Sequence, residues 1–554
     1  MNAAEPTTLT ELLTAGVVAD PASTAIVDGG PEPRRVTREE LWRRTLALRD
    51  ELRDRGVAEG DCVGVWLPNW SDALVWQFAA AGLGAHVIGI NTRYGIDEVA
   101  HVLECARPKV LAIAHDFLGL DLVGTLHSAA ERAGSARRGA MVPSVAVIPG
   151  PGRDAAAVSD LSDHDVGAGA WLPAEAAPVA GRSEGLRHLP DALAVAFTTS
   201  GSTGMPKLAA HRGGAVAEHA RRVAGAGGWD ATSVSLVVLP LSGVFGYIPA
   251  VTAIGAGGAA LLEPRFDPAL VLRHMADFGV THLACADDVV GRLAAAWHER
   301  PTELPRWRRM LMADFYGDSQ RLSTWSEEET ATPTMGVYGS SEVFALTACW
   351  RELDPAPARW RGGGRPVSDG IAVRAVDPVT GEPPADGEPG ELQFRGYPVV
   401  DAYLGDDDGT IRARSFTADG WFRTGDLGLV HVDGSFDYLC RMGDSLRLKG
   451  FLVEPAEIEL RLADHPAVGR AKVVGVAVAG ETHTVGFVEQ DPDGGQNADP
   501  EELRAWCGRT LAPFKVPHEV RVIDEMPMTA GTNGSKIRTA ALRELAERLV
   551  AGDE

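Results

Sequence analysis

The sequence is short of the features that mark secreted, membrane-spanning and nucleic-acid-binding proteins. Its 554 residues contain six scattered cysteines, with no Cys-x-x-Cys pair and no metal-ligand spacing, which predicts reduced thiols and a cytoplasmic location. The first ten residues lack the apolar core of a signal peptide, and no apolar run is long enough to cross a membrane. A formal net charge of −24 argues against nucleic acid and anionic membranes as partners.

The chain is long enough for several compact lobes, because a usual domain has roughly 150 residues. Short apolar runs alternate with amphipathic segments between 37 and 113, which is typical of a doubly wound parallel sheet. Short strands and glycine-rich turns between 362 and 441 indicate a β subdomain. We therefore predict an α/β fold, with a large N-terminal domain over 1–442 that joins doubly wound sheets to a β subdomain, and a small α+β domain over 443–554.

One segment narrows the function more than any other. It runs from Thr198 to Lys207, reads Thr-Thr-Ser-Gly-Ser-Thr-Gly-Met-Pro-Lys, and follows an apolar stretch that we interpret as a buried strand. Its glycines allow a ligand to approach the backbone closely, while N–H groups, hydroxyls and Lys207 can face phosphate oxygens. It is not a Walker A loop, because Met205 and Pro206 separate the second glycine from the lysine. A Ser/Gly surface loop is the alternative, and we favour a polyphosphate-binding loop.

The segment 337–342, Val-Tyr-Gly-Ser-Ser-Glu, offers a second set of ligand-binding groups. Tyr338 can stack on a base, and Gly339 lets the chain turn tightly toward a ligand. Ser341 can bind a phosphate, and Glu342 is a hard oxygen ligand suited to Mg²⁺. Alone the segment is weak evidence, because Gly-Ser turns that end in glutamate are common.

A third segment is predicted to place a hydrogen-bond acceptor beside a hydrogen-bond donor. The run 421–427, Trp-Phe-Arg-Thr-Gly-Asp-Leu, is followed by Asp433-Gly434, a pair that favours a two-residue hairpin turn. With that turn, Asp426 lies opposite Arg441 on the same face of the hairpin. From the residues alone, the pair is either a cross-strand ion pair or a ligand-binding pair.

In this order along the chain, the three segments resemble the signature motifs of the adenylate-forming superfamily, which comprises acyl-CoA synthetases, luciferases and the adenylation domains of peptide synthetases. The second segment matches the family's Tyr-Gly-x-Thr-Glu motif, with Ser341 keeping the hydroxyl of the usual threonine. The run 390–396 resembles a further family motif, for which we expect a structural role. The resemblance covers nearly the whole chain.

The resemblance implies that the small C-terminal domain is mobile. The stretch that begins at Arg441 resembles the motif about which this domain rotates between two half-reactions. Gly443 occupies the hinge position, which usually holds Asp or Lys, and a glycine can absorb a large change of backbone angle. Gly450 matches the position where the pantetheine arm of coenzyme A passes.

The resemblance also implies which residues catalyse the first step and hold ATP. Lys536, in the polar run Asn-Gly-Ser-Lys-Ile, matches the mobile catalytic lysine that bridges two anions as a carboxylate attacks the α-phosphate. Lys207 and Glu342 are the other implied catalytic residues, and Glu342 is the implied Mg²⁺ ligand. The residues implied to bind ATP or coenzyme A are Thr199, Ser200, Gly201, Ser202, Thr203, Gly204, Lys207, Tyr338, Gly339, Ser341, Asp426, Arg441 and Gly450.

The segment 239–245 resembles the family's acyl-pocket lining, here formed by Ser242, Gly243, Val244 and Phe245. Ser242 and Gly243 stand where the family usually has Phe-His, so we expect a wide pocket and a bulky acid. No Asp is placed to receive an α-ammonium group, which argues against an amino acid. The adenine-side run 314–318 departs from the family's usual Gly-Gly-Ala-Pro.

The implied reaction has two steps. A carboxylic acid and Mg-ATP give acyl-AMP and pyrophosphate, and coenzyme A then displaces AMP to form an acyl-CoA thioester. Two alternatives stay open: a stand-alone adenylating enzyme that passes the acyl group to a carrier-protein thiol or a partner enzyme, and a non-catalytic ATP-binding protein. A homodimer also stays open.

Overall fold

The computed structural model describes residues 7–136, 143–153, 171–173, 185–199, 206–314, 319–377, 380–385, 387–442, 446–449, 451–453, 455–478, 481–491, 498–529, 536–537 and 539–551. The chain divides into two compact units. The first consists of Met1–Thr92, Val102–Thr199 and Leu208–Cys440, and the second of Arg93–His101, Ser200–Lys207 and Arg441–Glu554. The second unit thus contains the whole of the predicted C-terminal domain and two short segments from earlier in the chain.

Helices and strands alternate along the first part of the chain, as the sequence pattern predicts. The helices that begin before residue 440 are α1 (Leu9–Ala19), α2 (Arg38–Asp54), α3 (Ser71–Ala81), α4 (Ile96–Ala106), α5 (Leu122–Ala136), α6 (Gly213–Gly227), α7 (Val244–Gly255), α8 (Pro268–Asp277), α9 (Asp287–Glu299), α10 (Ser319–Glu329) and α11 (Thr410–Ser415). The strands are β1 (Thr24–Asp28), β2 (Arg34–Thr37), β3 (Cys62–Trp66), β4 (His86–Gly89), β5 (Val110–Ala114), β6 (Ser144–Ile148), β7 (Leu193–Thr199), β8 (Lys207–Arg212), β9 (Val234–Val237), β10 (Ala259–Leu262), β11 (His282–Ala286), β12 (Arg309–Ala313), β13 (Thr334–Ser340), β14 (Phe344–Cys349), β15 (Gly363–Pro366), β16 (Ile371–Val376), β17 (Gly390–Gly396), β18 (Ala402–Tyr403), β19 (Phe422–Val430) and β20 (Phe436–Arg441).

These strands form two large sheets. The seven-stranded sheet has the order β18-β8-β7-β4-β3-β5-β6, and β7, β4, β3, β5 and β6 run parallel. Strands β3, β4 and β5 are buried along their whole length, because helices cover both faces of a parallel sheet. The thirteen-stranded sheet has the order β16-β17-β19-β20-β15-β14-β13-β12-β11-β9-β10-β1-β2.

The predicted β subdomain is the antiparallel end of the larger sheet. Strands β9 to β13 pair in parallel, whereas β13 to β17 pair only antiparallel beyond the β12–β13 contact. The predicted α/β class with doubly wound sheets is therefore confirmed. None of the described helices is both long enough and apolar enough to span a membrane.

The second unit is a small α+β structure, as predicted. Its elements after residue 441 are β21 (Leu446–Leu448), β22 (Phe451–Val453), α12 (Pro455–Ala463), β23 (Val468–Val478), β24 (Glu481–Gln490), α13 (Pro500–Gly508), β25 (Glu519–Ile523), β26 (Met528–Thr529), β27 (Lys536–Ile537) and α14 (Thr539–Ala551). The sheet β23-β24-β25 buries two apolar clusters. One includes Ile458, Leu503 and Val488, and the other includes Phe487 and Leu542.

A buried ion cluster ties the segment Arg93–His101 into the second unit. The ammonium of Lys515 lies 2.8 Å from Glu98 and 2.6 Å from Glu457, and all three side chains are largely buried. Burial raises the pKa of Glu457 to about 7, and the nearby carboxylate of Glu98 adds to the rise, while the ammonium of Lys515 opposes it. Nearby, the backbone N–H of Ala512 also donates to Glu98.

Four buried histidines make the stability of this fold sensitive to acid. Burial lowers the pKa of His86, His211, His219 and His282 to about 4. A folded-state pKa below the unfolded value of about 6.5 means that the unfolded chain binds more protons. The stabilisation is therefore complete above about pH 6.5 and is lost as the pH falls toward 4. We expect the free energy of unfolding to fall by up to about 5 kcal/mol per pH unit in this window.

Thermal unfolding from pH 8 to pH 4 measures this dependence. In the described part of the chain neither ring nitrogen of His86 has a hydrogen-bond partner, so His86→Leu removes one titrating group without breaking a bond. We expect a shallower fall of Tm below pH 6.5 in that variant. His298→Leu, at a half-exposed side chain, is the control and should keep the wild-type slope. Equal slopes for wild type and His86→Leu would contradict the prediction.

Candidate active site

The structure joins the first two predicted motifs at the ends of two strands of the first unit. Thr199 ends β7, and the segment 337–342 ends β13. The hydroxyl of Thr199 donates to Glu342 Oε1 at 3.0 Å, and the hydroxyl of Ser341 donates to the carbonyl of Thr198 at 3.3 Å. Both motifs follow strands at their carboxyl ends, where open α/β sheets bind their ligands.

Glu342 is placed as a single, largely buried carboxylate. Its side chain accepts from Thr199, and its backbone carbonyl accepts the N–H of Val400 at 2.7 Å. Among the described residues, no group of three or more His, Cys, Asp or Glu side chains could hold a metal. Mg²⁺ favours a coordination shell of one or two carboxylates together with substrate phosphates and water. Glu342 therefore fits that ion.

Two histidines brace the backbone that carries Ser341 and Glu342. Phe344 has a left-handed φ of +64°, and its ring lies between the rings of His211 and His219, at centroid distances of 4.0 and 4.9 Å. His211 Nε2 bonds to the carbonyl of Ser341 at 2.7 Å, and His219 Nε2 bonds to the carbonyl of Ala345 at 2.7 Å. Because burial holds the pKa of both rings near 4, each ring is neutral and donates through Nε2. A strained residue braced on both sides fixes the loop before any ligand binds.

The sequence analysis did not identify these histidines. His211 belongs to β8 and His219 to α6, so their spacing matches no rule for residues of one helix or one strand. Their shared partner, Phe344, lies more than a hundred residues away in the chain. Only the three-dimensional structure brings the three rings together.

A short hydrogen bond connects the third predicted motif, 421–427, to the second, 337–342. The hydroxyl of Tyr338 donates to Asp426 Oδ2 at 2.6 Å, and both side chains are buried. The ring of Tyr338 stacks on Phe394 at 5.4 Å and meets Phe436 edge-on. Gly339 is required here, because a Cβ at this position would lie 2.3 Å from the carbonyl oxygen of Phe344.

A bulge in β19 turns Asp426 toward Tyr338. Glu391 of β17 pairs with Leu427, but Gln393 pairs with Arg423, so the three residues 424–426 face one residue of the partner strand. Extra residues of this kind bend a strand locally and re-aim its side chains.

Specific contacts hold the bulge. Gly425 has a φ of +69°, which favours glycine, and its N–H donates to Glu391 Oε1 at 3.2 Å. The hydroxyl of Thr424 donates to the carbonyl of Leu392 and accepts the N–H of Asp426 at 2.9 Å. Glu391 therefore positions Asp426 through Gly425, which agrees with the structural role expected of the run 390–396.

The predicted two-residue turn at Asp433-Gly434 is wrong. The N–H of His431 donates to the carbonyl of Ser435 at 2.8 Å, so three residues form the loop. Gly434 has a φ of +79°, and Asp433 Oδ1 accepts from the N–H and the hydroxyl of Ser435. A three-residue loop that ends in a left-handed glycine is a common hairpin connection, and the carboxylate of Asp433 stabilises it.

The predicted pairing of Asp426 with Arg441 assumed a two-residue turn. With a three-residue loop, the strand register at the turn differs from the expected one by one residue, so this prediction fails there. Arg441 is the last residue of β20, and its side chain lies outside the described residues. Its role beside the ribose stays a prediction.

Several predicted site residues also lie outside the described residues, namely Ser200, Gly201, Ser202, Thr203, Gly204, Gly443 and Gly450. Lys207 is described as the first residue of β8. Lys536, in the polar run that ends at residue 537, is the first residue of the two-residue strand β27 and pairs with Thr529 of β26. The side chain of Lys536 is not described.

The predicted acid-pocket segment 239–245 is fixed by one buried amide. The side-chain nitrogen of Asn69 donates to the carbonyl of Leu239 at 2.9 Å, and its oxygen accepts the N–H of Leu241 at 2.9 Å. Gly243 precedes α7, and among the described residues a Cβ there would meet only the carbonyl oxygen of Pro240, at 3.5 Å. No described atom therefore crowds the position of that Cβ.

The other lining residues of this segment differ in burial. Val244 is buried, while Ser242 and Phe245 are partly exposed. Ser242 packs so closely on β4 that a Cβ on Gly89 would lie 2.6 Å from its Cα atom. Only glycine at position 89 lets this segment lie against the sheet.

Known proteins resemble this chain over nearly its whole length. The chain is 29% identical over 539 residues to the 3-[(3aS,4S,7aS)-7a-methyl-1,5-dioxo-octahydro-1H-inden-4-yl]propanoyl:CoA ligase of Rhodococcus jostii (strain RHA1), which covers 94% of this chain and 95% of the relative. It is 29% identical over 525 residues to the feruloyl-CoA synthase of an Amycolatopsis species, covering 92% and 94%. The solved structure of the amide bond synthetase McbA from Marinactinospora thermotolerans has the same fold, with a TM-score of 0.77, 23% identity and coverage of 97% and 99%.

Family profiles account for most of the chain. The profile of the AMP-binding enzyme matches residues 14–404, and the profile of the AMP-binding enzyme C-terminal domain matches residues 457–532. The first match contains β7, β13 and the contact between Thr199 and Glu342. The chain belongs to the AMP-binding enzyme family, the adenylate-forming superfamily whose members include acyl-CoA ligases and synthetases.

Proposed function

We propose that this protein activates a bulky carboxylic acid, other than an amino acid, with Mg-ATP and transfers the acyl group to coenzyme A. The observation that carries the proposal is the hydrogen bond of Thr199 to Glu342, which joins the phosphate-binding segment to a single buried carboxylate. A nucleotide kinase would need a lysine in Walker A geometry instead.

In the first half-reaction, an oxygen of the acid's carboxylate forms a bond to the α-phosphorus of ATP, and the bond to pyrophosphate breaks. Glu342 would hold Mg²⁺, which neutralises phosphate charge when bound. The hydroxyls and N–H groups that follow β7, together with Lys207, bind the phosphates. Asp426, oriented by Tyr338, accepts hydrogen bonds from the ribose, and Lys536 stabilises the two approaching anions.

In the second half-reaction, the thiolate of coenzyme A attacks the acyl carbon and AMP leaves. No protein nucleophile is required in either step. The names of the two relatives support both the thioester product and the size of the acid, because one acts on a bicyclic propanoate and the other forms feruloyl-CoA.

Exchange of labelled pyrophosphate into ATP, measured with a panel of acids, tests the first step. We expect exchange with aryl or bicyclic acids, followed by thioester formation when coenzyme A is added. Exchange without acyl-CoA formation would favour a carrier protein or a partner enzyme as acceptor. Assays with a pantetheine-loaded carrier protein and with amines as acceptors would then distinguish these alternatives. Absence of exchange with every acid would overturn the proposal in favour of a non-catalytic ATP-binding protein.

Gly243→His tests the size of the acid pocket. The replacement restores the family's usual bulk, and among the described residues an added Cβ meets only the carbonyl oxygen of Pro240, at an ordinary contact distance of 3.5 Å. We expect kcat/KM in pyrophosphate exchange to fall about tenfold more for bicyclic and aryl acids than for propanoate. Gly225→His, at an exposed position of α6 with no atom within 4 Å, is the control. Equal losses for large and small acids would count against a wide pocket.

A further inference from the structure

A small cavity of about 20 Å³ borders Ser242, the first residue of the predicted acid-pocket lining. Strands β3, β4 and β7 and helices α3 and α7 supply its walls, which are mainly apolar. Its polar side chains are those of Gln77, Ser242 and Tyr247. The volume admits one group of the size of a water molecule, such as a hydroxyl or a carbonyl oxygen.

Tyr247 lines this cavity and carries a hydroxyl whose partner is unexplained. The side chain is fully buried in the first unit, its ring lies 5.4 Å from Phe197, and in the described part of the chain its hydroxyl has no hydrogen-bond partner. Burial raises the pKa of Tyr247, so the phenol stays neutral and keeps its proton for donation. Leaving such a donor unpaired is costly, and buried polar groups are almost always hydrogen-bonded.

Gln77 and Ser242, the other polar residues at the cavity, make no described hydrogen bond to this hydroxyl. The amide nitrogen of Gln77 already donates to the carbonyl of Ala194 at 2.9 Å, and the remaining walls are mostly hydrocarbon. An oxygen carried on a hydrophobic ring suits both the phenol and the walls.

We propose that Tyr247 is a specificity-determining residue that donates a hydrogen bond to a hydroxyl or ring carbonyl at the far end of the acid. The inference rests on the proposed function and deepens it, because it names the class of acid: a bulky ring system bearing an oxygen substituent. An acid without that oxygen leaves the phenol unpaired and binds less well.

Matched pairs of acids test the proposal by pyrophosphate exchange. The pairs are 4-hydroxycinnamic and cinnamic acid, and an indanylpropanoic acid with and without a ring carbonyl. We expect the wild type to prefer the oxygenated member of an accepted pair, and Tyr247→Phe to lower that preference about tenfold while the deoxygenated member is used as before. The Tm of Tyr247→Phe without acid should stay at or above the wild-type value, because the hydroxyl makes no hydrogen bond to the described part of the chain.

Thr252→Val is the matched control. Thr252 lies on the same helix, is also buried without a described partner for its hydroxyl, and does not line the cavity. We expect this variant to keep the wild-type preference. Exchange with unchanged preference in Tyr247→Phe would overturn the inference alone, whereas no exchange with any acid would overturn the proposed function and this inference with it.

The occupant of the cavity gives an independent test. A crystal structure with a bound oxygenated acyl-adenylate analogue should show the ring oxygen within hydrogen-bond distance of the Tyr247 hydroxyl. A water molecule on that hydroxyl both with and without the analogue would overturn the inference, because the donor would then be paired without the acid.

Discussion

Glu342→Gln is expected to lower kcat/KM for pyrophosphate exchange by about 10²–10³-fold, equivalent to roughly 3–4 kcal/mol of transition-state stabilisation. The amide keeps an oxygen that can accept from the hydroxyl of Thr199, so the loop should retain its conformation. What is lost is the negative charge, and Mg²⁺ binds neutral amides far less well than carboxylates. The loss should therefore be accompanied by a higher Mg²⁺ concentration for half-maximal rate.

The Mg²⁺ titration separates this explanation from a folding defect. Glu352→Gln is the control, because Glu352 is a partly exposed carboxylate paired with Arg309 in the same unit. We expect its Mg²⁺ dependence and rate to match the wild type. If Glu342→Gln lost activity with an unchanged Mg²⁺ dependence and an unchanged Tm, Glu342 would not be the ligand of the ion.

The brace around Phe344 bears on the proposed role of Glu342 as the Mg²⁺ ligand. His211 and His219 bond the carbonyls on either side of Glu342 and hold Phe344 in a left-handed conformation. A carboxylate whose backbone is fixed need not be ordered when the nucleotide arrives, which lowers the entropic cost of binding. Because both rings are neutral, they add no positive charge beside this proposed metal ligand.

The sheet architecture was predictable because it depends on patterns within single segments. Buried strands such as β5 are uniform apolar runs, and α12 begins at Pro455, where the sequence indicates a helix start. The three motifs that resemble the family's signatures were also visible, because their hydroxyls, glycines and carboxylates lie close together in the chain. Local signals of this kind do not need knowledge of the fold.

The remaining features depend on contacts between distant segments. The brace of His211 and His219 on Phe344 is invisible before the strands are placed, and so is the support that Glu391 gives to Gly425. The prediction of a two-residue hairpin turn failed for a local reason, because the pair Asp-Gly occurs in loops of both two and three residues. The side chain of Asp433, which accepts from Ser435, decides between them.

Lys536→Ala is expected to lower the rate of acyl-adenylate formation by about 10³-fold, because a cation that bridges two anions in the transition state is worth several kcal/mol. The backbone of Lys536 is held by pairing with Thr529, so removal of the side chain should leave β26 and β27 in place. If the second half-reaction depends on different residues of the C-terminal domain, thioester formation from preformed acyl-AMP should stay within about threefold of the wild type.

The two half-reactions must be measured separately, by pyrophosphate exchange and by release of AMP from synthetic acyl-AMP in the presence of coenzyme A. Lys472→Ala is the control, because Lys472 is a lysine of the same unit whose ammonium pairs with Glu459 at 2.8 Å. A general loss of charge or stability would affect both variants and both steps. Equal losses of the two steps in Lys536→Ala would mean that the lysine supports the fold or binds a group common to both reactions. A loss confined to the first step would assign it to the attack on the α-phosphate.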